Sequence, residues 1–274
     1  MAALVLSGGG VFGAALLGAL HSLHSLDPFK VFAGTSVGAL ICALLVIGYT
    51  PLELLRLVSD EPSLMKPEHK LDFNRFGMVS QDNIRAFMER LFEEKTKAKS
   101  FQEIYKEFKK ELIIVGTNLS RQHAVYFQKE DFPQMNVIDA LMISCCVPMV
   151  FPYIVFENEV HVDGFVTDNF PIRYVAEKYS DVIGINICKN QKFMVNFHNV
   201  NTYVGSLFKT FLGSKEYPSC CSSCYEIEVD PDMNQLHTSP NDLVRLFNEG
   251  FQQMTEKTNK KAIQENENKT VSAK

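Results

Sequence analysis

Ala2-Ala3-Leu4-Val5-Leu6 is a continuous apolar run that ends in Ser7-Gly8-Gly9-Gly10. Unbroken apolarity over that length predicts a strand buried on both faces, feeding a glycine loop. From Ala14 to Leu26 the apolar positions Leu16, Leu17, Leu20 and Leu23 recur at helical spacing, and Asp27-Pro28 closes the helix. Val31-Phe32-Ala33 is a second apolar run. It meets Gly34-Thr35-Ser36-Val37-Gly38 and continues apolar to Ile47, which reads as strand, sharp turn, buried helix. Thr50 then caps a helix with Pro51 in its first position.

Asp60 to Phe76 is rich in proline, charge and turn formers and predicts a long loop, the kind that serves as a lid. Ser80-Gln81-Asp82 opens a helix to about Lys95. Glu111 to Asn118 predicts a strand, and His123 to Gln128 alternates as its antiparallel neighbour. Val137 to Cys146 is an apolar helix. Glu159 to Gly164 is a strand running into a turn, Ile172 to Tyr179 a helix, and Val182 to Cys188 a strand. Phe193 to Leu212 carries aromatics at irregular spacing with some helical character. Tyr225 to Val229 is a late strand, and Asn241 to about Thr255 an amphipathic helix. The β-then-α order points to one layered α/β domain over residues 1–258. Residues 259–274 are polar and aperiodic and are expected to be a disordered tail.

Composition narrows the classes. A net charge of -5 argues against nucleic acid, which calls for clustered Lys and Arg. It also argues against anchoring by a broad polybasic surface. Seven cysteines, an odd number, with no basic stretch and signal-like run at the start, predict reduced thiols and an intracellular setting. The apolar stretch from Val31 to Tyr49 is broken by Gly34, Thr35, Ser36 and Gly38, so no transmembrane segment is expected.

Chemistry concentrates in three places. Gly34-Thr35-Ser36-Val37-Gly38 has the spacing of a nucleophile elbow: the glycines let a tight turn form and leave the serine oxygen exposed at a strand end. By itself the pattern is common, and its strand–turn–helix context is what gives it weight. Gly8-Gly9-Gly10-Val11-Phe12-Gly13 opens a helix after a strand. Gly8, Gly10 and Gly13 satisfy a dinucleotide fingerprint, but the next strand ends in Gly34-Thr35-Ser36 instead of the acidic residue that fingerprint expects. With a serine elbow on the neighbouring strand, an oxyanion hole built from exposed backbone N–H groups is the better reading. Asp163-Gly164 follows a strand. Alone it is a common turn; here it supplies a carboxylate to a nucleophile that lacks a base.

Taken together, these segments resemble the patatin-like phospholipases, lipid acyl hydrolases with a Ser–Asp dyad. That family carries Gly-Gly-Gly-x-Arg/Lys-Gly, then Gly-x-Ser-x-Gly, then a distant Asp-Gly-Gly/Ala. Gly116-Thr117-Asn118-Leu119 resembles its central strand end, Ser144 through Pro152 its Ser-x-x-x-Pro-x-x-Phe-Pro segment, and Asp163 through Asn169-Phe170-Pro171 the continuation of its aspartate motif. The resemblance runs in order from Leu4 to Ile187. It implies a three-layer fold with a central, mainly parallel sheet flanked by helices. It implies catalytic Ser36 and Asp163, oxyanion binding by Gly8, Gly9, Gly10 and Gly13, and motif support from Gly34, Gly38 and Gly164. The implied substrate is a lipid ester met at a membrane surface, with no metal or organic cofactor, and the implied location is cytoplasmic or peripherally membrane-associated. Phe12 stands where the family has a cation and Phe165 where it has Gly or Ala. The alternative is therefore a catalytically weak or inactive lipid- or protein-binding module on the same fold.

His198 and His237 follow Asp163 and either could complete a Ser, Asp, His order, but neither sits at a clean strand end and the resemblance does without a histidine; with His161 they are read as structural. Cys221 and Cys224 have a Cys-x-x-Cys spacing, but no second pair completes a zinc site. Asn268-Lys269-Thr270 matches a glycosylation acceptor that has no meaning without secretion.

Overall fold

A computed structural model describes residues 1–61, 64, 69–189, 223–230 and 238–272. Its centre is an eight-stranded sheet. The strands are β1 (Ala2–Leu6), β2 (Phe29–Thr35), β5 (Glu111–Asn118), β6 (His123–Phe127), β7 (Ile154–Phe156), β8 (Glu159–Asp163), β9 (Asp181–Lys189) and β10 (Ser223–Val229). Their order is β10-β9-β1-β2-β5-β8-β7, with β6 also on β5. From β10 to β5 every pairing is parallel, and β6, β7 and β8 add an antiparallel end. The sheet is central and mainly parallel, as the resemblance implies.

The helices are α1 (Gly13–His21), α2 (Val37–Val46), α3 (Pro51–Ser59), α4 (Asp82–Lys95), α5 (Phe101–Phe108), α6 (Val137–Ser144), α7 (Phe165–Asp168), α8 (Ile172–Ala176) and α9 (Pro240–Ser272). Alternate strand residues face opposite layers. Leu4, Leu6, Phe32, Leu112 and Ile114 pack against α1, α2, α4, α6 and α9 in the larger core. Ala3, Val5, Val31, Ala33 and Ile113 meet Phe170, Ile172 and Val175 on the other face. The alanines and valines there suit a shallow cover by one short helix. The result is the expected three-layer α/β fold.

The larger layer is closed by a near-contact of backbones between α1 and α9. A Cβ added at Gly18 would lie 1.8 Å from the Phe247 carbonyl oxygen, and one added at Gly250 would lie 2.0 Å from that of Ala15. The two glycines let the first and last helices cross closely.

One expectation is corrected. The loop predicted over Asp60–Phe76 contains β3 (His69–Asp72), which pairs antiparallel with β4 (Gly77–Val79) in a hairpin. The remainder of that stretch falls partly outside the described residues. From residue 259 the polar segment continues α9 as far as Ser272. Its Lys, Glu, Gln and Ala content carries good helix propensity, and a helix nucleated by a packed first half propagates without further apolar periodicity. The segment Phe193–Leu212, His198, His237 and Cys221 lie outside the described residues. Among the described residues, no helix is long and apolar enough to cross a membrane.

Candidate active site

The site arises from how two strands share one side of β5. β2 pairs with β5 from Val31↔Glu111 to Thr35↔Val115 and then leaves the sheet. β8 takes over the vacated side one residue later, at Gly116↔Asp163. β6 occupies the opposite side of β5 over the same residues. The end of β2 and the end of β8 therefore abut, separated by one strand step of roughly 3.3 Å. Ser36 follows Thr35, and Asp163 is the last residue of β8, so register alone brings them together.

Ser36 Oγ donates to Asp163 Oδ2 at 2.8 Å. Ser36 has φ 53 and ψ -126, a backbone conformation that costs a non-glycine residue about 1–3 kcal/mol. Packing enforces it. A Cβ at Gly34 would lie 2.5 Å from the Gly38 carbonyl carbon, and one at Gly38 would lie 2.5 Å from the Ser7 carbonyl oxygen. The start of α2 thus presses on the ends of β1 and β2. The Ser36 N–H donates to Ser144 Oγ at 2.8 Å, which pins the turn to the end of α6.

Asp163 is fully buried. Burial pushes its carboxyl up to about 7, while the Phe165 N–H and the Ser36 hydroxyl pull in the other direction. The Phe165 N–H reaches Oδ1 at 2.9 Å, leaving Oδ2 for the serine. The Asp163 backbone is held by the Thr117 hydroxyl on its carbonyl at 2.9 Å and by the Cys146 carbonyl on its N–H at 2.8 Å. Gly164 sits so close to β5 that a Cβ would lie 2.4 Å from the Val115 carbonyl oxygen. Phe165 fits where a smaller residue was expected, because Gly164 is right-handed helical at φ -62 and no positive φ is needed at Phe165. Cys145 lies beside both Ser36 and Asp163; burial first, then the Asp163 charge, pushes its thiol well above the usual range.

The glycine loop borders the serine. A Cβ at Gly8 would lie 3.3 Å from Ser36 Cβ and 2.5 Å from Asn169 Oδ1. The four glycines are not equivalent. The Gly8 N–H donates to the Asn169 carbonyl at 3.0 Å, and the Gly13 N–H donates to the carbonyls of Gly10 and Val11. Among the described residues, the N–H groups of Gly9 and Gly10 donate to no protein acceptor. Gly10 has φ 60, a left-handed turn suited to glycine. Phe12, in the position of the family's cation, is fully buried in the larger core.

His161 is buried against Phe127 and Phe156, with Nδ1 on the Glu159 carbonyl at 3.0 Å. Among the described residues, no group of three or more His, Cys, Asp or Glu could hold a metal ion. Sequence reasoning missed Ser144 and Asn169 as supports for the elbow and the glycine loop. Both lie in segments it singled out, but only three-dimensional contact reveals what their side chains and carbonyls hold.

A family model described as patatin-like phospholipase matches residues 4–176. An uncharacterized protein of Acanthamoeba polyphaga mimivirus is 31% identical over 254 residues, 85% of this chain and 84% of that protein. A protein of Invertebrate iridescent virus 6, named as a probable lipid hydrolase, is 31% identical over 264 residues, 90% of this chain and 85% of its own length. Among solved structures, VipD from Legionella pneumophila aligns with a TM-score of 0.63 at 14% identity, over 93% of this chain and 66% of VipD. ExoU of Pseudomonas aeruginosa, solved in complex with SpcU, aligns with a TM-score of 0.53 at 16% identity, over 95% of this chain and 52% of ExoU. At such identity these two share the fold alone, and this chain spans about two thirds of the one and half of the other. With the family model covering the glycine loop, the elbow and the aspartate turn in a single match, the chain belongs to the patatin-like phospholipase family.

Proposed function

We propose that the protein is a serine acyl hydrolase that cleaves fatty-acyl esters of lipids through Ser36 and Asp163. The observation that carries this reading is the 2.8 Å bond from a strained elbow serine to a fully buried carboxylate. Asp163 takes the Ser36 proton as the oxygen attacks the ester carbonyl. The N–H groups of Gly9 and Gly10 receive the oxyanion. As the tetrahedral intermediate collapses, the carbon–oxygen bond to the alcohol breaks and Asp163 gives that alcohol its proton. Water, deprotonated by the same carboxylate, then attacks the acyl-serine and frees the fatty acid. An ordinary aspartate is too weak a base for a serine hydroxyl. Burial remedies this by raising its proton affinity toward neutrality.

The alternative, an inactive binding module on this fold, draws on Phe12 and Phe165. Phe12 is a core side chain, and the Phe165 N–H contributes to holding Asp163. Neither removes a group the mechanism uses. A fluorophosphonate probe separates the two readings, because only an activated serine labels. Wild type should label, while Ser36→Ala and Asp163→Asn should neither label nor hydrolyse. The double variant should be little worse than either single one, since the two groups act as a unit. His161→Ala, His198→Ala and His237→Ala should keep most activity. A folded histidine variant as inactive as Ser36→Ala would replace the dyad with a triad. A panel of phospholipids and neutral glycerides then identifies the substrate.

A further inference from the structure

Large apolar side chains are exposed on the β3–β4 hairpin: Leu71 at 64%, Phe73 at 82% and Phe76 at 71%. Met149, at 47%, projects from the segment against which the hairpin docks. This exposure is built. Asp72 Oδ1 accepts the N–H groups of Asn74 and Arg75, and Oδ2 accepts Arg75 Nε at 2.8 Å. The hairpin's carboxylate is thus consumed within its own turn, and Phe73 is left at the apex. Phe76 and Met149 both have positive φ, at 54 and 67. Bulky residues rarely adopt that conformation, and strain of this kind concentrates at working surfaces. Lys70 and Arg75 keep exposed side chains on the same hairpin, Lys70 facing Asp82 at 3.8 Å.

The hairpin adjoins the proposed site. The Met78 and Val79 N–H groups donate to the Val150 carbonyl, and the Tyr153 N–H donates to the Arg75 carbonyl. The Phe76 ring lies 6.3 Å from that of Tyr153. Within the same segment, Cys146 Sγ donates to the Pro152 carbonyl, and the Cys146 carbonyl accepts the Asp163 N–H. One short run of chain therefore joins the hairpin tip to the catalytic aspartate.

We infer that this tip, made of Leu71, Phe73, Phe76 and Met149, docks the protein on a lipid surface and seats the mouth of the site there. The inference rests on the proposed lipid acyl hydrolysis and names the surface at which it acts. Exposed aromatic and aliphatic side chains, on a hairpin whose cations Arg75 and Lys70 pair with Asp72 and Asp82, match the apolar chemistry that enters a lipid interface. Met149 lies three residues from Cys146, whose carbonyl holds the Asp163 N–H, so a lipid surface on this face is also the source of the proposed substrate.

The test uses the full chain carrying Ser36→Ala, so that vesicles stay intact, and vesicles of phosphatidylcholine and phosphatidylglycerol. Phe73→Ser with Phe76→Ser should lower vesicle co-sedimentation on the order of 10-fold or more. Ile263→Ser, which also removes an exposed apolar side chain, should leave it unchanged. In the Ser36 background, the tip variant should hydrolyse a monomeric short-chain ester as fast as wild type and lose turnover only on vesicles. Unchanged vesicle binding by the folded tip variant overturns the inference. So does equal loss on the monomeric ester, or a wild-type dimer that the tip variant dissociates. If Ser36 does not label and the short ester is not hydrolysed while the tip still governs vesicle binding, docking stands and the hydrolase reading fails.

Discussion

Asp163 meets two opposed demands. In the proposed mechanism burial makes it a competent base, and the same burial makes its charge costly. The linkage has a definite sign. Its folded affinity for a proton, near pH 7, exceeds the ordinary value of 3.8. The stability contribution is therefore complete below pH 3.8 and is lost as pH rises through about 7. The full span corresponds to on the order of 4 kcal/mol. Asp163→Asn removes that titration while preserving the acceptor for the Phe165 N–H. The variant should match wild type in thermal stability near pH 4 and exceed it progressively up to pH 8. A pH-independent difference between their melting curves would argue against a buried, shifted carboxyl. Catalysis runs the other way. kcat/KM on a soluble ester should rise with pH and level off above about 7, as the carboxylate becomes available to take the serine proton.

At the level of elements, the glycine loop and the abutting strands do separate jobs. Gly9 has room: a Cβ there would lie 3.4 Å from Ile187 Cγ1, an ordinary contact. Gly10 has φ 60, which a β-branched residue resists. Gly10→Val should thus displace the loop and cut turnover on the order of 100-fold, with Gly9→Ala the milder change. Thermal melts alongside single-turnover rates would check this, and a folded Gly10→Val at full rate would remove the loop from the chemistry. These elements were legible because their glycines punctuate apolar runs. What escaped was written in weaker signals. Helix α5 was missed although Ser100 and Glu103 form a capping box at its start; its exposed face interrupts the apolar pattern. The short β7 and the β3–β4 hairpin lack the length at which alternation becomes recognisable. The takeover of β5 by β8 depends on strand register, which no local pattern encodes.

For the molecule as a whole, the crossing of α1 and α9 sets integrity. Gly250→Val would insert side-chain atoms where only 2.0 Å separates a new Cβ from the Ala15 carbonyl oxygen. The helices would have to part, opening the larger core over Leu16, Leu20, Leu246 and Phe247. We expect a loss of several kcal/mol, on the scale of a disrupted core, seen as a lower melting temperature with a single transition. A melting temperature equal to wild type would mean that the crossing is dispensable. The sequence showed an amphipathic helix near residue 250 but did not show that its partner is the first helix, because amphipathicity names a face and not what covers it.

That crossing also bears on how the protein is made. α1 is covered by α9, after more than two hundred intervening residues. At roughly 5–20 residues per second, α1 waits on the order of ten seconds or more for its cover. Strand by strand maturation from the N-terminus is thus denied a finished core. A nascent chain of this design therefore exposes the apolar face of α1 to its surroundings until α9 emerges.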